Sequence, residues 1–325
     1  MRKVILDCDP GHDDAFGIML AAKNLDLLGV TTVGGNGYLP NVTRNALVVL
    51  EKIGRTDIPV YPGHAGPSTT PLVIADNVHG KSGLDGPKVE EPKRKPESKH
   101  AVDFIVETVM NTEHVTLIAT GPLTNIASAL NREPKIAERV DGLYLMGGGA
   151  YAGNWTPAAE FNIYVDAEAA YKVFHSGMPI YMIGVNLTRQ CPVTPEFIER
   201  IRSLGNTTGT FAAELLDFFS RGGDAHLHDP CAVAWVIDPD LIKDAFLHVD
   251  IELNGTLTRG MTVTDLRFLQ TDVPERDIDL DSPHKWNDPP VGSPFRGKEP
   301  NVHVAMRLDY PAFCDLVTET LKSYN

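Results

Sequence analysis

The chain has no apolar run close to the roughly twenty residues that a membrane-spanning helix needs, and basic residues are outnumbered. Its 29 Lys and Arg face 43 Asp and Glu in 325 residues, a formal net charge of −14. The first absence argues against a membrane partner. The second argues against nucleic acid, whose phosphates call for a basic face. The basic patch Lys93-Arg94-Lys95 lies among Pro92, Pro96 and glutamates and reads as a solvated loop. Cysteine is scarce too: Cys8, Cys191, Cys231 and Cys314 share no metal-ligand spacing. Four buried thiols in a reducing cytosol are the simplest account. Arg2-Lys3 leads into a strand and then aspartates rather than the apolar core of a secretion signal, so a cytoplasmic protein is expected.

What the chain has in excess is aspartate at one place. Residues 4–6 read as a buried strand and 15–22 as the helix after it, with Pro10-Gly11 turning the chain between them. Asp7, Asp9, Asp13 and Asp14 crowd into that junction. One acid suits the first turn of the helix. Four at the carboxyl end of a strand, where open α/β sheets gather ligands, repel each other unless a cation holds them. With no thiolate or imidazole cluster competing, the cation favoured is hard and oxygen-loving, Ca²⁺ or Mg²⁺.

Further strand-like runs cover 27–33, 58–61, 115–119, 142–146 and 179–185, and helical patterns cover 41–53, 100–110, 123–131 and 167–174. This alternation predicts an open, mostly parallel α/β sheet with helices on both faces. Residues 247–253 and 302–308 alternate apolar and polar positions, as strands near an edge or in a small added sheet do, and 310–321 reads as a closing helix. No linker-like break occurs before residue 270, so 1–325 is expected to be a single domain. The stretch 63–98, rich in proline and glycine around His79-Gly80, is expected to be a lid over the active site. The acidic, proline-rich stretch 271–301 carries Asp277-x-Asp279-x-Asp281. It departs from a calcium loop at Ser282, Pro283 and Asp288, and reads as a surface insertion.

The segment Asp7-Cys8-Asp9-Pro10-Gly11-His12-Asp13-Asp14 resembles the opening motif of the inosine-uridine nucleoside hydrolases. The likeness continues in order through Gly34-Gly35-Asn36, His79-Gly80, Ala119-Thr120-Gly121-Pro122-Leu123-Thr124-Asn125, Met146-Gly147-Gly148-Gly149, Ala159-Glu160-Phe161-Asn162 and His228-Asp229-Pro230. It fades at 205–227 and 270–300. The resemblance implies Rossmann-like topology, hydrolysis of ribonucleosides to ribose and free base, and one Ca²⁺. Its ligands would be Asp9, Asp14, Asp229 and the main-chain oxygen of Thr120. A cation lowers the pKa of its water, and Asp9 would take the proton as general base. The electron-poor, oxocarbenium-like transition state is favoured by neighbouring carboxylates.

Asp13, Asn36, Asn154, Glu160 and Asn162 are the polar groups expected to hold the ribose. The period-two spacing of Glu160 and Asn162 suggests an extended backbone that turns both the same way. Met146 would pack under the sugar, and His79 would reach the substrate from the lid. His228, beside Asp229, is the expected acid for the leaving base because histidine titrates near neutrality. A histidine here marks the inosine-uridine branch and a broad or pyrimidine-tolerant range. The stretch 217–227 lacks the tyrosines that relatives use to assist the base, which leaves His226 as a second candidate. A homodimer or homotetramer is expected.

Two other classes compete. A haloacid-dehalogenase-like phosphohydrolase also begins with Asp-x-Asp after a first strand, but its motif continues to a hydroxyl residue where this chain has His12. A calcium-dependent nucleoside- or ribose-binding protein would keep the hydroxyl-binding set without a poised base and acid.

Overall fold

A computed structural model describes residues 1–268, 294 and 297–324 of the chain. The insertion read near 271–301, with its three spaced aspartates, lies outside these residues except at 294 and 297–301.

Strand β1 (Lys3–Cys8) is buried along five of its six positions. Val4, Leu6 and Cys8 enter one hydrophobic core and Ile5 enters another. A strand whose alternate residues feed two cores must be covered on both faces, which is why its sequence runs apolar without alternation. The chain continues through α1 (His12–Asn24), β2 (Asp26–Thr32), α2 (Leu39–Lys52), β3 (Val60–Pro62), α3 (Asp76–His79) and α4 (Ala101–Asn111) to β4 (Val115–Ala119). Next come α5 (Thr124–Arg132), α6 (Ile136–Arg139), β5 (Val140–Met146), α7 (Phe161–Val165), α8 (Ala167–Phe174) and β6 (Ile180–Ile183). The last part holds α9 (Val185–Thr188), α10 (Pro195–Arg202), α11 (Thr207–Phe219), α12 (Asp229–Ile237), β7 (Ile242–Leu247), β8 (Val249–Ile251), β9 (Thr262–Thr264), β10 (Val302–Leu308) and α13 (Tyr310–Lys322).

The main sheet has the order β3-β2-β1-β4-β5-β6-β10-β7. Its pairings are parallel except β7 against β10. Helices α1, α2, α11, α12 and α13 supply the core on one face; α4, α5 and α8 supply it on the other. The expected α/β class is the class found. From β1 the chain winds first towards β2 and β3, then crosses back to β4, β5 and β6. That reversal opens a crevice beyond the carboxyl ends of β1 and β4, the place where doubly wound sheets bind ligands.

The expected strand at 247–253 is two. The chain leaves the main sheet at His248, so that Ile242–Leu247 forms an edge strand and Val249–Ile251 pairs antiparallel with β9 in a separate two-stranded sheet. The lysine and aspartate in β7 (IKDAFL) suit an edge and hid it from a search for apolar alternation. No helix among the described residues is long and apolar enough to cross a membrane.

Candidate active site

A cavity of about 470 Å³ lies at the sheet's switch point, and the residues that just follow strands form its floor. Asn36 comes after β2, Thr120 after β4, and Met146 ends β5; Asp13 and Asp229 enter from the first turns of α1 and α12. His79, Asn154, Glu160, Asn162 and His228 also line it. The residues expected to hold the sugar, with His79 and His228, therefore border one cavity; Asp9 and His226 do not.

Among the described residues, Asp13, Asp14 and Asp229, all buried, form the one group of three carboxylates whose ligating oxygens lie within 4.8 Å of one another. Asp13, expected at the sugar, thus belongs to the acidic group itself. Asp14 is fixed by three donors: Thr120 Oγ1 at 2.9 Å, Gly11 N at 3.0 Å and Asn36 Nδ2 at 3.2 Å. Asp9 is not one of the trio and does not border the cavity, although the charges of Asp14 and Asp13 both act on it. Its Oδ2 accepts from Asn36 N at 2.6 Å, while its Oδ1 is buried without a partner. A Cβ on Gly35 would stand 2.0 Å from Asp9 Oδ2, and one on Gly121 2.8 Å from Oδ1, so only glycines let the two backbones close on this carboxylate.

The electrostatics are those of crowded acids. Burial, and next the charge of Asp14, push Asp9 well above the usual carboxylate range. Burial followed by repulsion from Asp13 does the same to Asp229. Asp13 is pushed up to about 7 by burial and by Asp14. Asp7, on β1 two residues before Asp9, is raised to about 7 by burial although Thr31 and Asn125 donate to its Oδ1 at 2.5 and 2.8 Å. Such a set is costly when ionised and unpaired. The donors are all oxygen, and a partnerless buried carboxylate oxygen lies beside them, so the residues fit a hard divalent cation. The Thr120 carbonyl faces the same region and accepts from Asn162 Nδ2 at 2.9 Å, which leaves its second lone pair open.

The sugar-side residues differ from the expected arrangement in one respect. Glu160 and Asn162 are not on an extended segment: α7 starts at Phe161, and Glu160 is its N-cap. The Glu160 carboxylate accepts from Asn162 N (2.9 Å), Ile163 N (3.2 Å) and Gly148 N (2.9 Å). Both side chains still reach the cavity, because a cap and the second helical residue can face one pocket. Burial raises Glu160 to about 7 against those three donors. Asn162 spends its amide hydrogens on the carbonyls of Thr120 and Met146 (3.0 Å), leaving Oδ1 as its open acceptor. Asn154 is exposed rather than buried, and its Oδ1 accepts from Phe161 N at 2.9 Å. Both the backbone and the amide of Asn36 reach back to Asp9, and the amide also to Asp14.

His228 borders the cavity with Nδ1 2.7 Å from Thr188 Oγ1. Burial, then His226, then Arg189 push it down to about 3, so the ring is neutral at pH 7 and offers a hydrogen-bond donor rather than an imidazolium. His226 is 5.9 Å away, ring centre to ring centre, with Nδ1 3.7 Å from the exposed Asp224.

Sequence reasoning missed the ring wall at the far end. His12 stacks on His79 (5.5 Å), Phe218 (5.1 Å) and Phe219 (5.6 Å), and His79 stacks on Phe219 as well. His79, Phe218 and Phe219 line the cavity. His12 Nε2 donates to the Asp85 carbonyl at 2.7 Å, and the His12 amide donates to His79 Nδ1 at 3.2 Å. The stretch 63–98 is thus tied to the start of α1 through two imidazoles. Phe218-Phe219 stood in the stretch noted for its missing tyrosines, and that adjacency was the available signal.

Comparison with known proteins bears on this geometry. A family model described as inosine-uridine preferring nucleoside hydrolase matches residues 4–315. The chain is 48% identical over 284 residues to a pyrimidine-specific ribonucleoside hydrolase of Photobacterium profundum, covering 84% of this chain and 91% of the relative. It is 41% identical to the protein of the same description from Escherichia coli strain SMS-3-5, covering 99% of this chain and 98% of that one. Among solved structures, a purine-preferring ribonucleoside hydrolase from Gardnerella vaginalis superposes with a TM-score of 0.85 at 30% identity over 99% of both chains.

Proposed function

Because the chain belongs to the inosine-uridine preferring nucleoside hydrolase family and is a hydrolase acting on the N-glycosyl bond of ribonucleosides, we propose that it works with one Ca²⁺ and prefers pyrimidine nucleosides. The cation reading rests on the buried Asp13, Asp14 and Asp229 meeting within 4.8 Å at the cavity floor. Asp9, Asp14, Asp229 and the Thr120 carbonyl are the ligands proposed, with Asp13 near enough to join them. When bound, the cation supplies charge compensation and a water of lowered pKa.

The chain's own residues divide the rest of the work. Asp9 Oδ1, partnerless and held between Gly35 and Gly121, takes the proton from the attacking water. Asp13, Asn36, Asn154, Glu160 and Asn162 hold the ribose hydroxyls, and Met146 packs beneath the ring. The buried carboxylates stabilise the positive charge that develops on the sugar. His228 donates to the base as the bond breaks, with His226 as its reserve. His79, Phe218 and Phe219 face the base and keep water from it. Pyrimidine preference is supported by the descriptions of relatives at 41 and 48% identity. A purine-preferring protein of the same fold is the reason to test it.

We also read 1–325 as one domain with a lid at 63–98, assembled as a homodimer or homotetramer in the cytoplasm. All four cysteines are free and buried, in keeping with a reducing compartment. The deciding experiment is a turnover panel of uridine, cytidine, inosine, adenosine and guanosine, before and after exhaustive chelation. Uridine and cytidine should lead, and activity should vanish with the metal and return with Ca²⁺. Full activity without metal would end the cation reading, and a purine lead would end the base reading.

A further inference from the structure

We propose that Thr188 is a positioning residue which fixes His228 as the Nε2–H tautomer, so that the imidazole presents a donor to the leaving base. Thr188 is completely buried at the end of α9, and its Oγ1 lies 2.7 Å from His228 Nδ1. Among the described residues, that nitrogen is the sole hydrogen-bond partner of the hydroxyl. A buried hydroxyl that fails to donate leaves a polar hydrogen stranded, which costs more than the hydrogen bond itself is worth. Thr188 therefore donates, Nδ1 accepts, and in the neutral ring the hydrogen must sit on Nε2. The reverse arrangement, Nδ1–H donating to Oγ1, would strand the hydroxyl hydrogen and turn a bare Nε2 towards the substrate. Such a ring could accept a proton but could not supply a hydrogen bond to the base.

The backbone holds the two residues in this relation. Leu227 N donates to the Cys191 carbonyl at 3.0 Å and Val193 N to the Ala225 carbonyl at 2.9 Å. These bonds pin the segment that carries His228 alongside the one that follows Thr188. His228 then caps α12, whose first residue is Asp229. With its backbone fixed on both sides, the ring depends on Thr188 for its proton placement.

The inference rests on the reading of His228 as donor to the base, but the two can fail separately. The direct test is ¹⁵N NMR of histidine-labelled protein in its calcium-loaded form. The His228 resonances should show a single Nε2–H tautomer in the parent, and a mixture in Thr188→Val, which keeps the side chain's shape and removes the hydroxyl. Kinetically, Thr188→Val should lower kcat on uridine roughly tenfold, the worth of one hydrogen bond of this kind. Hydrolysis of p-nitrophenyl riboside, whose leaving group departs without a proton, should change less than about twofold, and Thr188→Ser should recover most of the uridine rate. An Nδ1–H tautomer in the parent, or an unchanged tautomer in Thr188→Val, overturns the proposal. So do equal losses on both substrates, which would make Thr188 a packing residue. If the tautomer shifts as expected while His228→Ala spares uridine, the positioning stands and the donor role of His228 falls.

Discussion

Replacing Gly35 by alanine adds one methyl group at the point where the site has least room. The new Cβ would stand 2.0 Å from Asp9 Oδ2 and 2.7 Å from Pro122 Cδ, where ordinary contact begins at 3.4 Å. Asp9 has no retreat, since it is fully buried and its other oxygen lies under Gly121. Either the carboxylate swings away and gives up the 2.6 Å bond from Asn36 N, or the loop after β2 moves. Misplacing a reacting group by about an ångström can cost on the order of 100-fold in rate, and overpacking typically costs about 1–3 kcal/mol in stability. The expected result for Gly35→Ala is therefore a kcat on uridine roughly 100-fold lower, a small change in KM, and a lower Tm. Gly121→Ala, with 2.8 Å to Oδ1, should do the same more mildly. Steady-state kinetics, bound calcium measured on the same sample and a thermal melt decide it. A calcium-loaded Gly35→Ala protein with near-parental kcat would refute the claim that the site depends on where Asp9 is held.

Asp9→Asn keeps the shape and removes the base, so calcium-loaded protein should lose roughly 100-fold or more in kcat with little change in KM; a normal kcat would remove Asp9 from the mechanism. His228→Ala should lower uridine and inosine hydrolysis by roughly 100-fold while sparing p-nitrophenyl riboside, and equal losses would assign His228 to the support of Asp229. As His228 is held neutral down to about 3, kcat should show no histidine limb near pH 6.5; a rate falling above that pH would mean that an imidazolium acts instead. Stripped of metal, the protein should lose stability as pH rises from about 4 to about 7. Asp7, Asp9, Asp13, Asp14, Glu160 and Asp229 have raised pKa values, so in that window the native state keeps protons that the unfolded chain has released. His12, His64, His79 and His228 are lowered and oppose this below about 6.5, four groups against seven once the raised Asp166 is counted. Urea titrations at pH 5 and 8 should therefore favour pH 5, and Ca²⁺ should remove the difference; greater metal-free stability at pH 8 would contradict the picture of unpaired buried carboxyls.

Much of this was legible in the sequence because parallel strands and their following turns are local. The junctions after β1, β4 and before α12 could each be read from a few consecutive residues, and those junctions carry Asp9, Asp13, Asp14, Thr120 and Asp229. Glu160-Phe161-Asn162 shows where local reading fails: three residues fit a strand and a helix start equally well, and only the three amides that converge on Glu160 decide it. The edge strand Ile242–Leu247 was hidden by its charges. The division of the acids, with Asp13 inside the trio and Asp9 outside it, depends on side-chain reach across two helices. Thr188 and the stacked rings of His12, His79, Phe218 and Phe219 join residues far apart in the chain, and no single-sequence pattern marks such contacts.

The ring stack ties together parts that would otherwise behave independently. His12 adjoins Asp13 and Asp14 in α1, His79 ends the short helix of the 63–98 stretch, and Phe218-Phe219 close α11. A ligand that displaces His79 disturbs the imidazole of His12, the residue that precedes Asp13 and Asp14 in α1. By thermodynamic reciprocity, whatever factor a bound nucleoside applies to the cation's affinity, the cation must apply to the nucleoside's. If the proposed cation binds beside the nucleoside, any coupling between them is shared equally, and each dissociation constant is to be measured at a stated occupancy of the other.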